Sequence, residues 1–342
     1  MICAEKRDII QAKRISENIF TEDKTMTIIK DATFSEERAL YNLHDATVKN
    51  CRFAGEEDGE SAMKESGKLR VEDCYFDLRY PLWHVKGATL LRNVMTENCR
   101  AAIWYSSDIS VFDCEMKGIK AVRECKNVTI ENTDVVSPEF GWKSRNIRVT
   151  GGSIVSEYAF LLSENIVASG LKFQGKYSFQ YVQNARFSRC RFDTKDAFWH
   201  TKNVTVKDSI IKGEYLGWYS ENLTLIRCKI IGTQPLCYCK GLKLVDCTTE
   251  ECDLSFEYSD VNASINGGIV SVKNPKSGKI VADSIGKIIL KNSVMKCKAK
   301  ILVRTAKDKT KNKAKDKEKD GKNAVKSAAE KKNGEIKGKD GE

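Results

Sequence analysis

Residues Ala185–Asn203 read ARFSRCRFDTKDAFWHTKN, and residues Val204–Asn222 read VTVKDSIIKGEYLGWYSEN. The two stretches are nineteen residues long and align without a gap, and the same spacing continues on both sides. Counting the first residue of each unit as place 0, the apolar residues there are Ile109, Val128, Ile147, Ile166, Ala185, Val204, Leu223, Leu242 and Val261. A constant period of this length is typical of a solenoid, whose units bury their apolar faces by stacking on one another.

Within a unit the apolar residues form three groups, at places 0 and 2, at places 5 and 7, and at places 12, 14 and 16. Alternation of this kind is typical of a strand with one buried face, so each unit is predicted to contain three short strands. The unequal sides favour a right-handed coil, in line with the handedness of parallel crossovers. We therefore predict an all-β fold, a single-stranded right-handed parallel β-helix of about twelve coils.

Asparagine stands just before place 0 in six consecutive units. These residues are Asn127, Asn146, Asn165, Asn184, Asn203 and Asn222. Asparagine tolerates the left-handed backbone of a sharp corner, and its amide can bond to its neighbours. The pattern predicts a ladder of amides along one corner of the rod.

Six of the thirteen cysteines occupy place 5, namely Cys51, Cys74, Cys114, Cys190, Cys228 and Cys247. A column of this kind indicates that cysteine serves as a small core residue and not as half of a disulfide. Residues 1–14 contain no apolar stretch of signal-peptide length, and no run is long enough to span a bilayer. Free thiols without an export signal predict a cytoplasmic protein with no membrane contact.

The formal net charge of +11 is concentrated at the carboxyl end of the 342-residue chain. Residues 304–342 carry 14 Lys and Arg against 8 Asp and Glu, with almost no large apolar side chains. We predict a disordered Lys-rich tail there, which is either a solubilising segment or a weak anchor to an anionic surface such as RNA or a cell-envelope polymer. No other nucleic-acid contact is expected. The remaining predicted boundaries are an N-terminal cap with the first strands at 1–45, the β-helix at 46–272 and closing strands at 273–303.

Places 10 to 16, which we call the third side, carry more aromatic residues than a solvent-exposed face of a sheet requires. If places 12, 14 and 16 point inward, place 15 points outward beside a row of aromatic residues at place 13. Place 13 holds Phe160, Phe179, Phe198 and Leu236, and place 14 holds Trp83, Trp142, Trp199, Trp218 and Phe256. An exposed aromatic stripe on a rigid sheet predicts contacts with an elongated ligand such as a saccharide. The predicted ligand-binding residues are Trp83, His84, Trp104, Tyr105, Tyr181, Trp199, Trp218, Tyr219, Tyr238 and Glu257. Alternatively, the rings only cover the sheet.

Carboxylates at places 10 and 11 lead into this aromatic stretch. Carboxylates on adjacent coils stand about 5 Å apart, which matches the pair of a retaining glycosidase, and carboxylates two coils apart stand about 10 Å apart, which approaches that of an inverting one. Asp196 and Glu214 are the predicted catalytic pair, with His200 as a neighbouring acid–base. Stacked carboxylates can also hold Ca²⁺, and no other cofactor is predicted. The three histidines have no partners at zinc-site spacing, so no metal centre of that kind is expected.

Several short motifs are shared with a known family. They are Gly59–Ser61 (GES), Tyr80–His84 (YPLWH), Ala102–Tyr105 (AIWY), Lys195–Trp199 (KDAFW), Gly213–Ser220 (GEYLGWYS), Gln234–Tyr238 (QPLCY) and Phe256–Tyr258 (FEY). Over roughly residues 35–285 the chain resembles an uncharacterised bacterial family, domain-of-unknown-function family 3737. The resemblance implies a right-handed β-helix of the pectin-lyase-like superfamily, and it lends no catalytic residues.

The sequence leaves three function classes open. The first is a protein that binds a saccharide or another elongated ligand along the third side. The second is a carbohydrate-active hydrolase, lyase or epimerase that uses Asp196 and Glu214. The third is a structural or protein-interaction scaffold. The oligomeric state does not follow from the sequence.

Overall fold

The computed structural model describes residues 27–55 and 59–305, which contain strands and turns but no helix. The first strands are β1 Thr27–Lys30, β2 Thr33–Phe34, β3 His44–Lys49, β4 Arg52–Ala54, β5 Gly67–Glu72, β6 Tyr75–Asp77, β7 Leu82–Trp83, β8 Lys86–Leu91, β9 Val94–Met95, β10 Ile103–Trp104, β11 Ser107–Phe112, β12 Glu115–Met116, β13 Val122–Arg123, β14 Lys126–Glu131, β15 Asp134–Val136 and β16 Arg145–Thr150. The others are β17 Ser153–Glu157, β18 Glu164–Ser169, β19 Lys172–Lys176, β20 Gln183–Ser188, β21 Arg191–Lys195, β22 Lys202–Lys207, β23 Ile210–Lys212, β24 Thr224–Ile226, β25 Lys229–Ile231, β26 Leu242–Glu250, β27 Asp260–Ile265, β28 Gly268–Lys273, β29 Ser277–Ala282, β30 Ser284–Ile289 and β31 Lys300–Val303.

The strands wind into a right-handed parallel β-helix of about fourteen turns, which confirms the predicted architecture. Each strand pairs in parallel with the equivalent strand of the next coil, so Ile109 faces Val128 and Val128 faces Ile147. The first side runs from β1 to β31, and the second side runs from β2 to β26. The coil count exceeds the predicted twelve because β1, β29 and β31 pair in the same first-side sheet as the regular repeats.

The predicted asparagine corner is confirmed. Each of the six asparagines has a left-handed backbone, with φ between 55° and 58°. The Nδ2 of Asn146 donates to Oδ1 of Asn127 at 2.8 Å, and the Nδ2 of Asn165 donates to Oδ1 of Asn146 at 3.0 Å. The amide ladder therefore offsets part of the cost of the left-handed corner with hydrogen bonds that run along the rod.

The cysteines of place 5 are buried, as predicted, and the column also supplies hydrogen bonds to the turn between the first two sides. The Cys74 N–H donates to Oδ1 of Asn93 at 2.8 Å, and the Asn93 N–H donates to Sγ of Cys114 at 3.3 Å. The Cys114 N–H in turn donates to Oγ1 of Thr133 at 3.3 Å. Thiol, hydroxyl and amide groups share the column because each accepts a hydrogen bond from the preceding coil while occupying little volume.

The third side departs from the predicted parity. Places 12, 13 and 16 point inward, and places 14 and 15 both point outward. The place-13 residues Phe160, Phe179 and Phe198, predicted to be exposed, are buried and stack on one another at centroid distances of 5.5 and 4.8 Å. The place-14 tryptophans, predicted to point inward, are only half-buried. Phe256, predicted at the same place, is buried because one extra residue in its coil shifts it to the position of place 13, where its N–H donates to the Pro235 carbonyl. The prediction assumed a strand, but only β7, β10 and β13 form one on this side.

The described rod begins at β1 and ends just after β31. The predicted N-terminal cap lies outside the described residues, as does the predicted tail apart from its first two residues. Arg304, at the end of the last coil, donates from Nη1 to the Ile265 carbonyl at 2.6 Å and pairs with Asp283 at 3.1 Å. In the residues that the structure describes, no helix has the length and apolar character needed to cross a membrane.

Removing the amide of Asn93 tests whether the place-5 column stabilises the coil. Asn93 also donates from Nδ2 to the Val71 carbonyl at 2.9 Å, so Asn93→Ala leaves a buried donor and a buried acceptor unpaired. We expect a loss of about 2 kcal/mol of unfolding free energy, measured as a lower urea midpoint. Asn93→Ser should lose less, because Ser209 at the same place accepts the Cys190 N–H at 3.0 Å. Equal midpoints for the two variants would contradict this role.

Candidate functional site

The backbone of the third side is a series of left-handed residues at alternate places. In one coil Tyr177, Phe179 and Tyr181 have φ of 54°, 62° and 57°. The N–H groups of Tyr177 and Tyr181 donate to the next coil, and the N–H of Phe179 donates to the preceding coil. This alternation keeps coil-to-coil hydrogen bonding while it turns two successive side chains outward, which an extended strand cannot do.

The outward place 15 forms a continuous stack, which we call the tyrosine row: Tyr181, His200, Tyr219 and Tyr238. Successive ring centroids lie 4.8, 4.9 and 4.7 Å apart, with interplanar angles of 2°, 6° and 12°. Tyr181 is 45% exposed and Tyr219 is 43% exposed. The three tyrosines were predicted to bind ligand and His200 to act as an acid–base, and the four rings form one solvent-facing strip.

Trp199 and Trp218 at place 14 form a second row beside the first, which we call the indole row. Their rings are 5.3 Å apart and within 5° of parallel, while Trp218 lies at 77° to Tyr219. Each indole N–H donates to a carbonyl of the next coil, Trp199 to Tyr215 at 2.6 Å and Trp218 to Gln234 at 2.7 Å. These hydrogen bonds fix the ring orientation, so the indole row is rigid before any ligand arrives.

A separate cluster lies toward the N-terminus and consists of Tyr80, Trp83, His84, Trp104 and Tyr105. Trp83 and Trp104 stack at 5.0 Å, and His84 and Tyr105 stack at 5.4 Å. The indole Nε1 atoms of Trp83 and Trp104 are buried and have no hydrogen-bond partner among the described residues.

Cations cover both ends of this N-terminal stack. Lys64 lies over the Trp83 ring at 3.9 Å, and Arg123 lies over the Trp104 ring at 5.2 Å. A hydrogen bond to Glu124 raises the pKa of Tyr105. The indole faces at the two ends of the stack are thus occupied by the chain itself, which favours the tyrosine and indole rows as the more open surface.

A third aromatic row at place 11 escaped the sequence analysis. Tyr158 and Tyr177 stack at 4.8 Å, and Tyr215 lies two coils beyond Tyr177. Asp196 occupies the intervening coil at the same place, with the same left-handed backbone. The nineteen-residue spacing of Tyr158 and Tyr177 is visible in the sequence, but place 11 was assigned to the loop that leads into the predicted aromatic strand.

The structure places the predicted carboxylate pair in two different environments. Asp196 is only 5% exposed, and burial raises its pKa, with Lys195 opposing and Glu214 adding to the shift. Glu214 is half-exposed and forms an ion pair with Lys195 at 2.7 Å. Glu257 is likewise paired, with Lys273 at 2.9 Å. Most carboxylates at the rim of the third side therefore already have a cation as partner.

His200 lies within the tyrosine row, with its ring stacked between those of Tyr181 and Tyr219. The backbone N–H of His200 donates to the Trp218 carbonyl at 2.9 Å. Within residues 27–55 and 59–305, no group of three His, Cys, Asp or Glu side chains is arranged to hold a metal ion. What the site offers is aromatic edges and faces, phenolic hydroxyls and an imidazole in a fixed line.

The sequence of the chain matches one family model, described as a protein of unknown function (DUF3737), over residues 27–302. None of the curated proteins matches the chain.

Solved structures with a similar winding include a surface adhesin of Streptococcus pneumoniae, PfbA, at 8% identity and a TM-score of 0.29, covering 83% of this chain and 80% of that one. The catalytic domain of a GH87 α-1,3-glucanase has 10% identity and a TM-score of 0.28, covering 83% of this chain and 64% of that one. The periplasmic alginate epimerase AlgG has 8% identity and a TM-score of 0.22, covering 82% of this chain and 74% of that one. Likenesses at this level concern the type of fold alone.

The raised pKa of Asp196 predicts how a neutral replacement changes stability with pH. A carboxyl group whose pKa is higher in the folded chain stabilises the fold below its ordinary pKa and loses that contribution as pH rises. Asp196→Asn should therefore raise the melting temperature at pH 7 relative to the parent chain. The difference should shrink toward zero near pH 3. Thermal unfolding followed by circular dichroism across this range checks the expectation. A less stable variant at pH 7 would contradict it.

Proposed function

The chain belongs to the DUF3737 family of proteins of unknown function, and we propose that it binds a saccharide along the tyrosine and indole rows. The observation that carries the proposal is the line of four stacked rings, Tyr181, His200, Tyr219 and Tyr238, at regular spacings of 4.7–4.9 Å. Tyr181 and Tyr219 are exposed, and His200 and Tyr238 are half-buried. A ligand that contacts such a line must itself extend along the rod. Linear oligosaccharides meet that requirement and carry hydroxyl groups along their whole length.

The geometry of the rows determines which contacts are available. Parallel rings at these distances are offset stacks, so each ring covers much of its neighbour's face. The phenolic hydroxyls and the imidazole remain free to exchange hydrogen bonds with ligand hydroxyls. The indole row tilts differently from the tyrosine row, because Trp218 lies at 77° to Tyr219. The two rows together present polar groups beside a slanted apolar surface, a combination that suits the polar edges and apolar faces of sugar rings.

Exposure of the row supports ligand binding over a covering role. Rings that only shield a core are themselves buried, as Phe160, Phe179 and Phe198 are at place 13. Tyr181 and Tyr219 remain nearly half-exposed although the chain buries phenylalanine readily two places away. Stacking fixes their rotamers before binding, which reduces the entropy lost when a ligand is held.

We further propose a reducing compartment, the cytoplasm, as the site of action. The twelve cysteines of the described residues are free, and all but Cys297 are buried. Several are hydrogen-bonded in the core, as Cys125 is to the Ile103 carbonyl at 3.2 Å. A chain that uses thiols in this way folds without competing disulfides where thiols stay reduced.

A second candidate function is glycoside hydrolysis. The observation in its favour is that Asp196 has a raised pKa while Glu214, on the adjacent coil, is held beside Lys195. Two carboxyl groups in unlike environments are the arrangement of an acid and a nucleophile. A screen of hydrolase and lyase substrates decides the matter, since activity that survives both Asp196→Asn and Glu214→Gln does not use this pair.

The binding proposal predicts a loss of affinity when the centre of the tyrosine row is removed. Tyr219→Ala deletes the ring between His200 and Tyr238, and we expect affinity for the best oligosaccharide of a neutral and acidic panel to fall about tenfold, equivalent to about 1.4 kcal/mol. Isothermal titration measures it. Tyr75→Ala is the matched control, because Tyr75 lies in β6 on the second side. The absence of any binding by the parent chain, or equal affinities for both variants, would rule the proposal out.

A further inference from the structure

A groove lies between the N-terminal aromatic cluster and the tyrosine row, and we call it the cationic groove. Its volume is about 460 Å³, and it is lined by Tyr105, Glu124, Cys125, Lys126, Lys143 and Arg145. Glu124, Lys143 and Tyr181 all occupy place 15 of their coils, with left-handed φ of 53°, 49° and 57°. The groove therefore continues the outward line of the tyrosine row, with only Leu162 between Lys143 and Tyr181 at that place.

Three residues that line the groove are exposed cations without a partner among the described residues. Lys126, Lys143 and Arg145 form no ion pair or side-chain hydrogen bond with any of them. Lys126 and Arg145 are register partners in the pairing of β14 with β16, so two like charges stand on adjacent coils. Glu164 follows Arg145 at the same place, but it is half-buried and no ion pair joins the two. Like charges held this close repel, so the arrangement has a cost when the groove is empty.

The same row of residues is neutralised farther along the rod. Glu221 stands between Lys202 and Lys240 in that row and pairs with both of them, at 3.5 and 3.2 Å. In those coils an acidic residue separates the two lysines, as repulsion within a row requires. The cationic groove lacks that separation, and its positive charge is available to a ligand.

The carboxylates beside the groove do not neutralise it, because other groups engage them. Glu124 accepts a hydrogen bond from Nε of Arg123 at 3.0 Å. Although burial raises it, the pKa of Glu124 is lowered overall by hydrogen bonds from Tyr105 and Arg123. Asp108, on the preceding coil, accepts from Nδ2 of Asn127 at 2.7 Å. With Arg123 balancing Glu124, the three remaining cations make the groove positive.

We propose that the cationic groove binds the acidic group of an anionic saccharide, a carboxylate or a sulfate ester, while the rest of that saccharide extends along the tyrosine row. The inference rests on the proposed saccharide binding and names the class of saccharide. The guanidinium of Arg145 can donate two hydrogen bonds to one anionic group, and Lys126 and Lys143 add charge at the same place. The bound anion would also relieve the repulsion between Lys126 and Arg145.

The tyrosine row favours a saccharide over RNA, which is also an elongated anion. Bases of single-stranded nucleic acids bind chiefly by stacking on the faces of aromatic rings. In the tyrosine row the faces of His200 and Tyr219 are covered by the neighbouring rings, at 4.7–4.9 Å. Ring edges and hydroxyl groups are left for a ligand, and the hydroxyl groups of a saccharide can bind to them.

The test compares oligosaccharides that differ only in their charge. Isothermal titration measures a hyaluronan hexasaccharide against its carboxyl-reduced form, and a κ-carrageenan hexasaccharide against its desulfated form. We expect the parent chain to bind at least one acidic form about tenfold more tightly than its neutral counterpart, because hydrogen bonds to charged groups are the stronger ones. The arm that shows the preference identifies the acidic group as carboxylate or sulfate. Lys143→Gln combined with Arg145→Gln should abolish the preference and leave the affinity for the neutral form unchanged, which also shows that the variant is folded.

Arg148→Gln combined with Arg186→Gln is the matched control, because it removes two charges from exposed residues of β16 and β20 on the first side. The control should keep the preference of the parent chain. Equal affinities for acidic and neutral forms in both arms overturn the subsite. So does a preference that survives the loss of Lys143 and Arg145, or one that the control loses equally.

The remaining outcomes separate this inference from the proposed function. If the parent chain binds acidic and neutral forms equally and Tyr219→Ala weakens both, the row proposal stands and the cationic groove is refuted as a subsite. If the parent chain binds no saccharide, both proposals fail. A uridine hexanucleotide that binds as tightly as the best saccharide, and is lost with Lys143 and Arg145, overturns the assignment to a saccharide.

Discussion

Register between coils is the constraint on which the rest of this structure depends. Each coil hydrogen-bonds to its neighbours in parallel, so equivalent residues come to lie about 4.8 Å apart. A side chain must therefore be compatible with a similar side chain directly above and below it. Asparagines satisfy this by passing amide hydrogen bonds along the rod, and the phenylalanines of place 13 satisfy it by stacking. The stacked rings and the ion pairs of the third side likewise place compatible side chains on adjacent coils.

The same condition explains why charge on the rod is largely neutralised. Like charges on adjacent coils repel. Lysine and glutamate therefore stand at equivalent places of adjacent coils, as at Lys195 and Glu214 or at Lys176 and Glu157. Bidentate pairs such as Arg92 with Asp73 do the same at a corner. Pairs this exposed add little stability, so their main effect is to prevent repulsion within a row.

Sequence reasoning succeeded where the period alone determines the answer. The spacing predicts which residues stand in rows, and hence the architecture, the asparagine corner and the buried cysteine column. It failed on the third side because alternation was read as evidence for a strand. Residues other than glycine that adopt a left-handed backbone, such as Phe179 and Phe198, change which side chains point inward. Phenylalanine does not favour that backbone, so the sequence does not predict it. The indoles of place 14 were consequently predicted to point inward and the phenylalanines of place 13 outward, whereas the structure shows the reverse. The place-11 tyrosines were missed because that place was assigned to the loop before the predicted strand.

The side chains of the third side are held in place by the same side chains of the neighbouring coils, and this limits how the surface can recognise a ligand. The rings of the tyrosine row are held by their stacking, the indoles by hydrogen bonds to the next coil, and the backbone by bonds to both neighbours. Such a surface cannot adapt to a ligand by moving one residue, because each ring is the packing partner of the next. Specificity must then come from where the repetition is broken. On this face one such break is Asp196, which stands between Tyr177 and Tyr215 in the place-11 series. Under the proposed function, the uniform rows hold the ligand along its length, and a break in a row is where one ligand is distinguished from another.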